Sequence, residues 1–307
     1  MKAIVATKYG PPEVLEVKER AKPHPRKNQI LIKVHATAVT TSDSRVRAFR
    51  FPLWNPMILV FRLILGIRKP RQPVLGMVLA GEVEAVGKSV THFQPGDQVY
   101  GMTGPSFGCY AEYLCLSEKS CIAKKPQSIS FVDAAASTYG GLFASYCLEK
   151  SGIKSGDKIL IYGASGAIGT AAIQLAKNMG AEITGVCSTA NLELVKSLGA
   201  DATLDYTRDD ISESRERYDL IFDAVGKDKT SPLKQQCAKH LAKGGKYISV
   251  DDGMLKSRKE ALLHLNSLME AGTFKPVIDR SYRLEDIVAA HRYVDQGHKK
   301  GNVLISV

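Results

Sequence analysis

The stretch Lys158-Ile159-Leu160-Ile161-Tyr162-Gly163-Ala164-Ser165-Gly166-Ala167-Ile168-Gly169, running on into Thr170-Ala171-Ala172-Ile173-Gln174-Leu175-Ala176, decides the fold. Its first residues predict a buried strand and its glycines a tight turn. Apolar Ile168, Ala172, Leu175, Ala176 and Met179 fall at helical spacing, so a helix begins directly after the turn. That order gathers exposed backbone N–H groups and the positive end of a helix at one point, which suits a diphosphate. Gly166 lets the chain approach the phosphates, and Gly169 lets helix and strand pack closely. The first glycine of the usual G-x-G-x-x-G is Ala164 here, with Gly163 just ahead. Gly163, Ala164, Ser165, Gly166, Ala167 and Ile168 are the candidate contacts, and a purely structural strand-to-helix turn is the alternative.

At 307 residues the chain has room for about two domains. Hydrophobic content of 44% and charged content of 24% are those of an ordinary globular protein. No run approaches the roughly 20 apolar residues that span a bilayer, and the N-terminal apolar run is too short for a signal peptide. Cys109, Cys115, Cys121, Cys147, Cys187 and Cys237 show no C-x-x-C spacing, so reduced thiols and a cytoplasmic location are expected. The formal charge of +11 attracts phosphates, but the basic residues are scattered and no nucleic-acid motif accompanies them. Nucleic-acid binding is therefore not expected.

Around the decisive stretch the texture differs on its two sides. The first 120 or so residues alternate as strands punctuated by Gly87, Pro95-Gly96 and Gly104-Pro105. From about residue 130 come helical periods at Phe131–Thr138 and Leu142–Lys150, then strands alternating with helices, the signature of a helix-covered parallel sheet. A tail from Thr273 holds a helix over Leu284–Gln296 and a closing strand over Asn302–Val307, which either extends that sheet or returns to the N-terminal part. The bulky apolar segment Phe49–Pro70 interrupts the β pattern and is expected to be a hydrophobic lid that favours a bulky acceptor.

The chain resembles the medium-chain dehydrogenase/reductases, of the zinc-lacking quinone-oxidoreductase type related to zeta-crystallin. The resemblance rests on Met1-Lys2-Ala3-Ile4-Val5 with Tyr9-Gly10-Pro11-Pro12-Glu13-Val14-Leu15, on Pro95-Gly96-Asp97-Gln98-Val99-Tyr100-Gly101, and on Gly108-Cys109-Tyr110-Ala111-Glu112-Tyr113. The glycine turn, Lys196-Ser197-Leu198-Gly199-Ala200-Asp201 and Tyr218-Asp219-Leu220-Ile221-Phe222-Asp223-Ala224-Val225-Gly226 continue it in the family's order. It implies an α/β protein with a GroES-like β-barrel catalytic domain over residues 1–124 and 268–307. A doubly wound Rossmann domain over 125–267 would bind the cofactor. It also implies a homodimer and a cofactor lying between the domains.

Zinc-dependent relatives carry a cysteine where this chain has Thr40 and a His-Glu pair where it has Met77-Val78. A catalytic zinc needs about three N, S or O ligands, so no zinc is expected. Val186-Cys187-Ser188-Thr189-Ala190-Asn191 ends the second Rossmann strand without the carboxylate that NAD-preferring sites place there. Ser188, Thr189 and Asn191 then face a 2′-phosphate, and Ser188 and Thr189 can compatibly cap the helix before Leu192. Tyr206 resembles the family tyrosine beside that phosphate. The expected cofactor is NADPH, with NADH possible, because no Lys or Arg replaces Ala190 or Asn191. By resemblance, Val225, Gly226, Val250, Lys300 and Asn302 line the rest of the cofactor path.

Without a Lewis acid, reduction of a quinone or an α,β-unsaturated carbonyl is the undemanding chemistry, since hydrogen-bond donors suffice for the developing oxyanion. Thr40, Arg45 and Tyr139 are the candidate donors, and Asp43 is expected in an internal ion pair. His35, His92 and His291 read as ordinary strand, loop and helix residues. A lipophilic small-molecule substrate follows. The alternatives are a zinc-independent alcohol or aldehyde oxidoreductase, and an NADPH-binding partner- or RNA-binding protein with little turnover.

Overall fold

Hydrophobic alternation in the N-terminal third is realised as antiparallel sheet. In the computed structural model, which describes residues 1–50, 62, 63, 65–253, 255 and 258–307, β1 (Lys2–Ala6) pairs with β2 (Leu15–Glu19) as a two-stranded sheet. The long β3 (Gln29–Val39) leads into α1 (Thr41–Ala48), followed by β4 (Val78–Val86), β5 (Gln98–Met102), β6 (Tyr113–Ser117) and β7 (Cys121–Lys124). Much of the expected lid falls on residues 51–61 and 64, outside the described residues.

The two helical periods after residue 130 are one helix, α2 (Phe131–Ser151). Gly140 and Gly141 do not break it; they admit neighbours. A Cβ at Gly140 would stand 2.1 Å from the Ala167 carbonyl oxygen, and one at Gly141 would stand 2.6 Å from Leu265 Cδ1. Then come β8 (Lys158–Tyr162), α3 (Ala167–Asn178), β9 (Glu182–Cys187), α4 (Leu192–Ser197), β10 (Ala202–Asp205), β11 (Tyr218–Asp223), α5 (Pro232–Lys239), β12 (Leu241–Ser249) and α6 (Lys259–Glu270). β13 (Ile278–Arg283), α7 (Ile287–Asp295) and β14 (Asn302–Ser306) close the chain.

These elements form two compact units, Met1–Thr138 with Ile278–Val307, and Tyr139–Val277. The borders fall later than the expected 124/125 and 267/268, for visible reasons. Phe131 stacks on His35 of β3 at 4.5 Å between ring centroids, which ties the start of α2 to the first unit. Gln174 bonds both the amide (2.8 Å) and the carbonyl (3.0 Å) of Lys275, which ties the segment after α6 to the second.

In the first unit a seven-stranded sheet runs β13-β14-β3-β4-β5-β7, with β6 also on β3. The tail therefore returns to the N-terminal unit: β14 pairs antiparallel with β3, Val303 opposite Val39. Its core gathers Ile30, Ile32, Leu79, Val83, Val99 and Ile122, all fully buried, each side chain contributing about 1.5–3 kcal/mol of transfer free energy. In the second unit all five strands are parallel, in the order β10-β9-β8-β11-β12. The chain steps outward from β8 through β9 to β10, then crosses back to β11. The strand order thus reverses between β8 and β11, and in such sheets ligands bind beyond the carboxyl ends of the strands at that reversal.

Candidate functional site

The glycine turn stands at the carboxyl end of β8, beside that reversal. Gly163 adopts φ +85°, and its amide and that of Ala164 both donate to the Val186 carbonyl, at 3.0 and 2.9 Å. A Cβ on Gly169 would meet the Gly163 carbonyl oxygen at 2.2 Å, so only glycine lets α3 start this close to the strand. Ala164 is fully buried, with its methyl turned toward Gly185, where a Cβ would stand 3.2 Å away. The missing first glycine is accommodated by this small neighbour on β9. Gly166 differs from the others. It has φ −78°, which any residue adopts, and its Cβ would meet nothing nearer than 3.5 Å. It is also the N-cap of α3 and supplies no side-chain cap, so no side chain covers the first-turn amides on its behalf. Ala167 and Ile168 open this turn and are buried.

Beyond β9, the Asn191 side chain reaches back to the turn, donating to Ser165 Oγ (3.1 Å) and Ser188 Oγ (3.2 Å). Asn191 is 8% exposed, yet its Oδ1 is buried without a hydrogen-bond partner. Such an atom costs free energy unless something fills its valence. Ser188, Thr189 and Asn191 do not cap the following helices with their side chains, so the expected capping role does not hold. Thr189 instead donates its hydroxyl to Asp205. Tyr206 follows at the end of β10, 39% exposed, its ring centroid 6.5 Å from that of Tyr162.

On the other side of the reversal, Val225 covers Gly163: a Cβ on Gly163 would meet Val225 Cγ1 at 2.3 Å. The loop carrying Val225 and Gly226 is shaped by a buried ion pair. Asp223 Oδ1 accepts from the Val225 and Gly226 amides at 3.2 and 3.1 Å. Its Oδ2 lies 2.8 Å from Lys234 Nζ and also accepts from Ser249 Oγ and Tyr247 OH. Lys234 Nζ donates onward to the carbonyls of Gly226 and Lys229, both at 2.8 Å. One strand-end carboxylate and one helix ammonium thus hold both ends of the loop. Val250, whose amide donates to the Asp223 carbonyl, completes this edge and lines a small cavity with Phe143, Cys147 and Ile248.

The remaining expected residues divide between the units. Tyr139 lies in the second, buried, its ring 4.8 Å from that of Phe143. Thr40, Arg45, Lys300 and Asn302 lie in the first. Thr40 is the N-cap of α1 in a reciprocal capping box: its hydroxyl accepts from the Asp43 amide (3.1 Å) and donates to Asp43 Oδ2 (2.7 Å). Asp43 therefore serves as the partner of a cap rather than of the expected ion pair. Burial lifts its pKa to about 6 against the pull of the Thr40 bonds. The ion pair of this helix is Arg47–Asp295, at 2.6 Å with Arg47 fully buried. His291 is more than an ordinary helix residue: Arg47 donates to its Nδ1 at 3.0 Å, and burial with the Arg47 charge presses its pKa down to about 3. Arg45 sits half-buried in the last turn of α1. The Lys300 amide donates to Asp279, and Asn302 is buried at the start of β14.

Matches to known proteins cover both units. The family model described as "Alcohol dehydrogenase GroES-like domain" matches residues 26–127, and models described as "Zinc-binding dehydrogenase" match 167–274 and 252–305. The 2-methylene-furan-3-one reductase of Solanum lycopersicum is 33% identical over 99% of this chain and 79% of its own length. The chain belongs to the medium-chain dehydrogenase/reductase superfamily. Another relative, the chloroplastic NADPH-dependent alkenal/one oxidoreductase of Arabidopsis thaliana, is 31% identical over 99% of this chain and 79% of its own length. The solved quinone oxidoreductase of Coxiella burnetii superposes with a TM-score of 0.84 at 29% identity, over 100% of this chain and 99% of that one. The GroES-like and Rossmann architecture of this superfamily is the one described above. At the superfamily's zinc-ligand positions, Thr40 caps a helix while Met77 and Val78 are buried apolar side chains. Among the described residues no three His, Cys, Asp or Glu side chains are grouped to hold a metal ion.

Sequence reasoning missed Lys234 and Asp205. Lys234 carries no local signal, being one lysine among many on a short helix. Asp205 precedes Tyr206, but only strand pairing shows that it sits beside Cys187, in register at the end of β9.

Proposed function

We propose that this protein is an NADPH-dependent, zinc-independent oxidoreductase that delivers hydride to a quinone or an α,β-unsaturated carbonyl. The observation that carries the reading is the cradle at the strand reversal. There an uncapped helix start, open space at Gly166 and the unpaired Asn191 Oδ1 converge within one unit. A dinucleotide fits these groups. The first-turn amides of α3 would hold its diphosphate, Ser188, Thr189, Asn191 and Tyr206 its adenosine ribose, and Val225, Gly226 and Val250 its path toward the nicotinamide. When bound, the nicotinamide supplies the hydride.

The relatives' names, an enone-type reductase and an alkenal/one oxidoreductase, support an activated alkene as acceptor. In such a reduction the protein orients the acceptor and stabilises the oxygen that gains charge. Among the proposed donors, Thr40 already gives its proton to Asp43, and Tyr139 is buried against Phe143. Arg45, whose guanidinium carries several N–H donors, is the donor we favour, with Thr40 capping the helix that carries it. The six thiols are free, which suits a cytoplasmic setting, and a homodimer is the assembly we expect. No helix among the described residues is long and apolar enough to cross a membrane.

A panel of quinones, enones and aldehydes with NADPH tests the reading. Turnover should be fastest with quinones or enones, and Arg45→Met should lower kcat about 10- to 100-fold while leaving NADPH binding unchanged. Turnover of aldehydes alone, or of none of the acceptors, would overturn it.

A further inference from the structure

The sequence suggests that no carboxylate faces the cofactor's ribose corner, because none ends the second Rossmann strand. The structure supplies one from the neighbouring strand. Asp205 closes β10 in register with Cys187 of β9 and is 3% exposed. Its Oδ2 accepts the Thr189 hydroxyl, while Oδ1 accepts the Thr207 amide (2.9 Å) and hydroxyl (2.7 Å). These bonds hold its pKa below the usual carboxylate range, so the charge persists at neutral pH.

Thr189 stands where Rossmann proteins discriminate a ribose 2′-hydroxyl from a 2′-phosphate, about 20 residues beyond the glycine turn. A hydroxyl has one proton to give. That of Thr189 goes to Asp205, and its oxygen also lies 3.4 Å from Thr207 Oγ1, so toward a ligand it can only accept. The unfilled valence of Asn191 is likewise an acceptor, Oδ1. A 2′-hydroxyl can donate to such a corner, whereas a 2′-phosphate brings further acceptors and negative charge toward a carboxylate. The cation near Asp205 is Arg208, exposed three residues on, which draws in the opposite direction.

We infer that Asp205, acting through Thr189, is a specificity-determining residue that holds down the preference for NADPH, so that NADH binds within about tenfold of it. This rests on the dinucleotide site proposed above. Calorimetric titration of the purified protein with NADH, NADPH, 5′-AMP and 2′,5′-ADP tests it without turnover. The two dinucleotide dissociation constants should agree within about tenfold, and Asp205→Asn should tighten NADPH and 2′,5′-ADP about fivefold or more relative to NADH and 5′-AMP. Thr189→Val, which also removes the partner of the buried Asp205 Oδ2 and is therefore paired with a thermal-unfolding control, should weaken NADH about threefold or more relative to NADPH. NADPH bound a hundredfold more tightly than NADH by the unaltered chain, or equal effects of Thr189→Val on both cofactors, would overturn the inference. Failure of the unaltered chain to bind either dinucleotide would instead strike the site assignment itself.

Discussion

The two units put their buried polar networks in different places, at loops beside a strand reversal in one and at a helix start in the other. In the parallel-sheet unit, hydrogen bonds and an ion pair shape loops around an open space: Asp223 and Lys234 hold the Val225–Gly226 loop, and Asn191 ties Ser165 to Ser188 while keeping one acceptor unfilled. In the GroES-like unit, Thr40 bonds Asp43, and Arg47 bonds His291 and Asp295, which fastens α1 and α7, while Asp43 Oδ1, His291 Nε2 and Asp295 Oδ1 stay buried without a partner. Open valences therefore occur in both units; what singles out Asn191 is its place beside the strand reversal, where ligands bind in such sheets. Thr40, expected as a donor, is the N-cap of α1.

The contrast can be tested at each network. The largest effect belongs to Lys234→Met, which strands the Asp223 carboxylate in the interior. It should cost about 3–5 kcal/mol by denaturant unfolding, and the double variant with Asp223→Asn should recover part of that. A loss below about 1 kcal/mol would show that the loop is held by its own backbone.

A smaller effect distinguishes the GroES-like unit. Buried Asp43 has its pKa raised to about 6, so between about pH 4 and 6 the native state keeps a proton that the unfolded chain has released, and stability falls as pH rises. Buried His291 has its pKa lowered to about 3, so from about pH 3 to 6.5 the unfolded chain holds a proton that the native state lacks, and stability rises with pH. The two slopes oppose each other. Asp43→Asn leaves the His291 slope alone, so stability should climb from pH 4 to 6 more steeply than in the unaltered protein, by up to about 1.4 kcal/mol per pH unit. Parallel pH curves for the two proteins would contradict this.

What was legible in the sequence followed local chemistry. The strand–glycine–helix stretch, the βα alternation and the closing strand over 302–307 each depend on residues adjacent in the chain, and they came out at β8–α3 and β14. The break expected inside α2 failed because glycine has two uses. Gly140 and Gly141 lie between the two helical periods, but their missing side chains make room for Ala167 and Leu265 inside one helix. Of the proposed site, the turn at Gly163–Ile168 was legible because one strand end carries it. The proposed site was not legible where a neighbouring strand or helix reaches in, as Asp205 and Lys234 do. Strand order and side-chain reach are set by tertiary packing, and no periodicity in one segment encodes them.

Gly166 separates the two uses of glycine most directly. As a mere turn residue it should tolerate substitution, because its backbone is ordinary and its Cβ direction is open. As part of a diphosphate cradle it should not, since any side chain would occupy the space the phosphates need. The decisive measurement is fluorescence titration of NADPH into the unaltered protein and Gly166→Leu, with thermal unfolding of both. The account predicts saturable binding that Gly166→Leu weakens about 100-fold or more at an unchanged unfolding temperature. Equal NADPH affinity in the two proteins would contradict it.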